Sequence, residues 1–251
     1  MFDFKLGWIP DLPDFRDLFF EGKTSLASLP PVVDLRANDA PIYNQGQLSS
    51  CTGNAIGAMF QYVNKKDAGK DFIPSRLFIY YGERAIEGTI NKDGGAYIRN
   101  GMKVIAKKGV CKEDTWPYDV AKVKAKPSAQ AFKEALDHQA IQYQRLSENL
   151  DNMKQCLADG YPFVFGFTIY DSFLTDEVVK TGIMKMPEKT EKCVGGHAIT
   201  AVGYDDTKRI LIIRNSWGTG WGDKGYFYMP YDYVLNNNLV ADFWTLRKVE
   251  L

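Results

Sequence analysis

The sequence predicts an α+β protein whose helices come first and whose strands come last. Two observations carry this. Apolar residues in the first half recur at helical spacing, as in Ala55, Ile56, Met59, Phe60 and Val63, and again in Leu77, Phe78, Tyr81 and Ile86. From residue 163 onward the pattern changes to short β-branched and aromatic runs at 163–170, 197–204, 210–214, 226–229 and 243–249, divided by Gly or Asp turns. A helical half followed by a sheet half places a cleft between them.

Taken in order, residues 1–31 are rich in Pro, Asp and aromatics, and prolines at 10, 13, 30 and 31 argue against a long helix. This segment reads as an extended arm on the surface of the body, which occupies residues 32–251 and opens with a strand at 32–36. A helix starting at Cys51 has Ser49 and Ser50 as N-cap candidates. Pro74 and Ser75 cap a second helix, residues 91–95 form a turn, and a third helix at 97–108 ends on Gly109. A lysine-rich connector at 122–128 leads to helices at 128–138 and 147–159, each begun by a serine.

Bulk properties exclude several classes. With 251 residues, 45% hydrophobic and 25% charged, the chain has the composition of an ordinary globular protein. Lys plus Arg and Asp plus Glu are 31 each, so no net charge points to nucleic acid or an anionic membrane. No run approaches the ~20 apolar residues of a membrane span. An acid at position 3 and the lack of an apolar signal core make a cytoplasmic location the expectation, with a non-standard secretion route left open. The four cysteines, Cys51, Cys111, Cys156 and Cys193, form no CxxC pair. Neither a metal nor another cofactor is expected, and one Cys156–Cys193 disulfide stays open.

The chemistry centres on Cys51. A thiol in the first turn of a helix feels the positive end of the macrodipole and unpaired N–H groups, which favour the nucleophilic thiolate. The alternative is a buried cysteine that only packs. Of the two histidines, His138 lies in a polar helix and reads as a solvated surface residue. His197 follows Gly195 and Gly196 at the start of an apolar strand. Asn215, in Asn215-Ser216-Trp217-Gly218-Thr219-Gly220-Trp221-Gly222, ends another strand. Its amide carbonyl can accept from an imidazole N–H and fix the tautomer, as an Asp does in serine triads.

Together these pieces resemble the papain-like cysteine peptidases: Gln45 six residues before Cys51, Gly196-His197-Ala198, the Asn215 motif, and Gly94-Gly95. His197 lies 146 residues beyond Cys51, within the family's span of about 130–150. The resemblance covers roughly residues 32–249, and the arm motif Trp8-Ile9-Pro10-Asp11-Leu12-Pro13-Asp14-Phe15-Arg16-Asp17 and the segment from Asn44 to Thr52 look like a microbial, xylellain-like branch. It implies a two-lobe fold, a helical left lobe and a β-barrel-like right lobe, with the site between them. Cys51 would be the nucleophile, His197 the acid/base, Asn215 its orienter and Gln45 an oxyanion donor. Family members hold Cys and His as an ion pair. Gly95, next to Gly94, would pair with an extended peptide substrate. Tyr97, Gly166, Gly195 and Ala198 would line the pocket for the second side chain upstream of the cut, with Ala241 or Asp242 at its floor. An apolar or aromatic side chain is the default there, and a basic one if Asp242 points inward. Trp217 would wall the leaving-group side and shield the His197–Asn215 hydrogen bond.

The chain also departs from the family pattern. Leu48 and Thr52 stand where the motif Cys-Gly-Ser-Cys-Trp has its first cysteine and its tryptophan. No partner cysteine lies near Gly94, so the loss of that disulfide is concerted. The histidine-bearing loop that makes cathepsin B a dipeptide remover is missing, which favours endopeptidase action. Family propeptides run through the cleft in reverse. Trp8, Ile9, Leu12, Phe15, Leu18, Phe19 and Phe20 need a surface to cover, so the arm is expected to be a shortened pro-segment or lid. The alternative is an arm packed behind a lobe. An acyltransferase or amidase using the same triad is the competing function. The expected partner is a peptide or protein substrate, with neither nucleic acid nor membrane indicated.

Overall fold

Helix α1, Cys51–Ala68, is the piece on which both halves of the molecule pack. The computed structural model describes residues 5–250, so residues 1–4 of the arm and residue 251 lie outside the description. The sequence predicts an apolar stripe on α1, yet every residue from Cys51 to Asn64 is buried. A helix buried all round is an interior helix. On one side it meets α2 (Arg76–Glu87) and α3 (Ile98–Lys107), and on the other the sheet.

Short strand β1 (Val32–Asp34) precedes α1, and α4 (Ala129–Ala135), β2 (Ala140–Arg145) and α5 (Leu150–Ala158) follow α3. The second half holds β3 (Phe163–Tyr170), α6 (Asp176–Thr181), β4 (Cys193–Asp205), β5 (Ile210–Arg214), β6 (Tyr226–Pro230), α7 (Tyr231–Val234) and β7 (Val240–Val249). The strands form one antiparallel seven-stranded sheet in the order β2-β7-β3-β4-β5-β6, with β1 paired to β4. Helices early and sheet late is the α+β arrangement that the apolar periodicities predict.

Side chains of β3 alternate between two cores, as a strand's period of two requires. Val164 joins the core under α1, α2 and α3 with Trp244 and Leu246. Phe163, Phe165 and Phe167 join the other, with Phe243, Trp221 and Phe227. Caps explain several boundaries. Ser75 Oγ accepts from the Phe78 N–H at 3.1 Å, and Ser128 Oγ accepts from the Ala131 N–H at 3.1 Å. Other expectations need correction. Ser50 occupies the N-cap position of α1 without capping it, because its hydroxyl is engaged with Tyr118 Oη. Helix α5 starts three residues late, capped by Asn149 rather than Ser147.

Strand β2 escapes sequence reading because Ala-Ile-Gln-Tyr-Gln-Arg is an outer strand with mostly polar, partly exposed side chains. All four cysteines are free, and Cys156 is buried while Cys193 is exposed, so no Cys156–Cys193 bridge exists. His138 is half-buried with its ring 4.5 Å from that of Phe72, not a solvated surface residue. No helix among the described residues is long and apolar enough to cross a membrane.

Candidate active site

Four elements converge where α1 begins. Cys51 is the first residue of α1 and is fully buried. His197 projects from β4, which is tied to α1 by a hydrogen bond from Thr200 Oγ1 to the Ala55 carbonyl (3.1 Å). Asn215 follows the last residue of β5, and its Oδ1 lies 2.8 Å from His197 Nε2. That oxygen also accepts from the Ser216 N–H at 2.8 Å, which fixes it as the acceptor and makes Nε2 the protonated ring nitrogen. His197 Nδ1 has no hydrogen-bond partner. Trp217 stacks on the imidazole, ring centroids 4.9 Å apart and planes 26° from parallel.

Gln45 reaches the same place from the loop before α1. Its Oε1 accepts from Ser216 Oγ at 2.7 Å, while its Nε2 donates to the carbonyls of Leu48 and Lys5, both at 2.9 Å. The second of these belongs to the N-terminal arm. The arm lies in the groove: the N–H groups of Gly7 and Trp8 donate to the Gly196 carbonyl (3.1 Å each). The Ala96 N–H donates to the Gly7 carbonyl (2.8 Å), and the Ile9 N–H to the Ala96 carbonyl (3.1 Å). The Trp8–Ala96 bridge is parallel.

The arm's pairing does not use the glycine expected to pair with a substrate. Ala96, not Gly95, offers its N–H and C=O to the extended segment, while the Gly95 N–H donates to Tyr80 Oη. Gly95 serves otherwise: its φ is +89°, and a Cβ there would overlap the Gly7 carbonyl. Gly94 is exposed, and a Cβ there would meet nothing within 4 Å.

The pocket beside the groove holds the Trp8 side chain. A Cβ on Gly166 would overlap the indole, so the ring lies directly on the β3 backbone. Gly196 also faces Trp8, whereas Gly195, expected there, faces Leu6 of the arm. Ala198 is buried in the same apolar cluster as Trp8 and Cys51. Tyr97 is found as the residue preceding α3, its N–H donating to Glu87 Oε1 at 3.1 Å. Asp242, rather than Ala241, supplies the polar floor: its Oδ2 accepts from Trp8 Nε1 at 3.0 Å. The β3–β7 register slips between Val164 and Gly166, and Asp242 sits at this bulge with φ +64°. Bulges re-aim side chains, and this one carries a carboxylate to a position only 1% exposed.

Burial shifts both members of the Cys51–His197 pair. Desolvation pushes the Cys51 thiol up to about 12, against hydrogen bonds from the backbone of Ala198, Gly7 and Thr52. Desolvation takes His197 down to about 4, opposed by Asn215. Both shifts disfavour the charged forms, so burial in this closed arrangement works against the thiolate–imidazolium pair that the resemblance implies.

Comparison with known proteins identifies the lineage. The papain family cysteine protease profile matches residues 29–241. The chain belongs to the papain family. An uncharacterized peptidase C1-like protein of Acanthamoeba polyphaga mimivirus is 40% identical, over 97% of this chain and 86% of its own length. The crystal structure of xylellain, a cysteine protease from Xylella fastidiosa, superimposes with a TM-score of 0.91 at 43% identity, covering 97% of this chain and 96% of its own. Procathepsin B of Trypanosoma congolense shares the fold, with a TM-score of 0.78 at 16% identity over 98% and 87% of the two chains. The protein is a cysteine-type peptidase acting on peptide or protein substrates.

Sequence reading missed Ala96 and Gly196, which make the backbone rungs of the groove, and Ser216, which orients Gln45. Position 216 carried a signal in lying next to Asn215. Ala96 carried none, since backbone pairing leaves no mark on side-chain identity.

Proposed function

We propose that the protein is an endopeptidase that uses Cys51 as nucleophile and is held inactive by its own N-terminal arm. The observation that supports this most is the Gln45 amide donating to a peptide carbonyl, that of Lys5, beside the first turn of α1. The same amide can receive the oxyanion of a substrate.

In the open groove, His197 Nδ1 takes the Cys51 proton. The thiolate attacks the scissile carbonyl carbon, forming a C–S bond and moving the π electrons onto oxygen, where the Gln45 amide and the Cys51 N–H receive them. Collapse breaks the C–N bond, and His197 protonates the departing amine. Water, deprotonated by His197, then attacks the thioester and releases the acid and the thiol. Asn215 keeps the proton on Nε2 so that Nδ1 can face this chemistry.

The arm's direction supports inhibition over self-cleavage. Trp8 fills the pocket for the second side chain upstream of the cut, yet the carbonyl at Gln45 belongs to Lys5, three residues N-terminal. A substrate would place that carbonyl C-terminal to the pocket residue. The arm therefore runs backwards, and its displacement restores solvation and with it the ion pair. Trp8 also indicates selectivity: a flat or long apolar side chain ending in an N–H donor, such as Trp or Arg, suits the Gly166 wall and the Asp242 floor. Incubation of the full chain with fluorogenic peptides is the test. Turnover that rises at least tenfold in Trp8→Ala supports the reading, and turnover unchanged in that variant contradicts the inhibitory arm.

A further inference from the structure

Beyond the groove the arm is held by a buried group of charges that the peptidase chemistry does not use. Asp11 from the arm points its Oδ2 at Trp244 Nε1 (3.2 Å) and its Oδ1 at the Arg99 N–H (3.4 Å), while its own N–H donates to Asp242 Oδ2 at 2.8 Å. Asp17 from the arm pairs with Arg99 at 2.6 Å and with Arg145 at 3.2 Å. Arg145 in turn reaches Asp242 at 3.3 Å, and Arg99 also donates to the Leu12 carbonyl. Both guanidinium groups lie over the Trp244 ring. Three carboxyl groups thus share two arginines. Glu83 of α2 is another buried acid that feels Asp11, and Asp14 is taken up by Arg16.

We propose that Asp11 makes arm docking a proton-binding step, so that the arm clamps the groove in mild acid and loosens as the pH approaches neutrality. The proposal rests on the reading of the arm as an occupant of the groove. The charge count supports it: docking brings Asp11 beside Asp242 in a place that desolvates both, with the two arginines shared among Asp11, Asp17 and Asp242. Burial first, and then Asp242, lift the Asp11 carboxyl to about 7 when docked, from the ordinary 3.8 it would regain in water. Asp242 is lifted as well, chiefly by burial. The sign follows from linkage. A group whose docked value is raised stabilises docking fully below its free value, progressively less between the two, and no longer above the docked value.

The test is amide exchange in the full-length chain, corrected for intrinsic rates, at Gly7, Trp8, Ile9 and Ala96 between pH 5 and 8, alongside the carboxyl-carbon NMR titration of Asp11. Protection should fall by about tenfold per pH unit from 5 to 7 and level off above 7. The carboxyl carbon should titrate near 7. In Asp11→Asn, which keeps the shape and removes the charge, protection should stay high at pH 7 with a slope below about threefold per unit. Protection that ignores pH in the parent, or an Asp11→Asn variant that keeps the parent's slope, overturns the proposal. Should Asp11→Asn fail to dock at all, the parent's titration decides, a midpoint near 4 with the arm protected being contrary. A steep slope alongside unchanged activity in Trp8→Ala leaves the clamp standing and removes only its inhibitory role.

Discussion

Cys51 and Gln45 sit within six residues of each other, yet they depend on residues far along the chain. Gln45 is held by Ser216, and His197 by Asn215 and Trp217. At this scale the roles separate by what each variant loses. Cys51→Ala should abolish peptide turnover while circular dichroism and melting stay those of a folded chain, because a buried thiol contributes little more than a small hydrophobe. Gln45→Ala should cost about 2.7–4 kcal/mol in the barrier, read as a ~10²–10³-fold fall in kcat with KM nearly unchanged. Asn215→Ala should lower kcat by less than the ~10²–10⁴ that complete loss of acid–base help costs, since only ring orientation is lost. Equal kcat in the Asn215 variant and the parent would show that another group orients His197.

The elements show where the sequence was legible. Helix α1 and strands β3, β4, β5 and β7 announce themselves because burial forces apolar patterning on them. Cys51, His197, Asn215 and Gln45 stand at the ends of such elements, so their spacing survives as a motif. The pocket was harder to read. Whether Asp242 points inward depends on a one-residue bulge opposite β3, and a register slip is invisible in one strand's sequence. Arg145 lies on β2, an outer strand whose polar composition hides it. The arm's fit also rests on two missing side chains, at Gly95 and Gly166. Gly166→Ala should therefore expel Trp8, raising arm mobility, and at the same time raise KM for substrates with a Trp in that pocket. Retention of arm protection in Gly166→Ala would contradict the position given to the indole.

On the scale of the whole molecule, a helical half and a sheet half share α1, and the arm crosses the seam between them. Residues 5–11 touch both sides: Ala96 and Arg99 from the helical half, Gly196, Asp242 and Trp244 from the sheet. In the reading proposed here, closure couples three properties that would otherwise be separate, namely access to the groove, the ionisation of Cys51 and His197, and the proton held by Asp11. Opening must solvate the first pair and release the last. Truncating the Trp8 anchor removes a buried aromatic side chain, a change that costs about 3–5 kcal/mol in protein cores.

The most direct measurement is the intact mass of the protein after incubation with the epoxide E-64, followed by peptide mapping, in the parent and in Trp8→Ala. A single adduct on Cys51, formed at least tenfold faster in the Trp8 variant, is the predicted result. An adduct on Cys111, Cys156 or Cys193 instead, or none on Cys51 once the arm has been loosened, would contradict the assignment of the nucleophile.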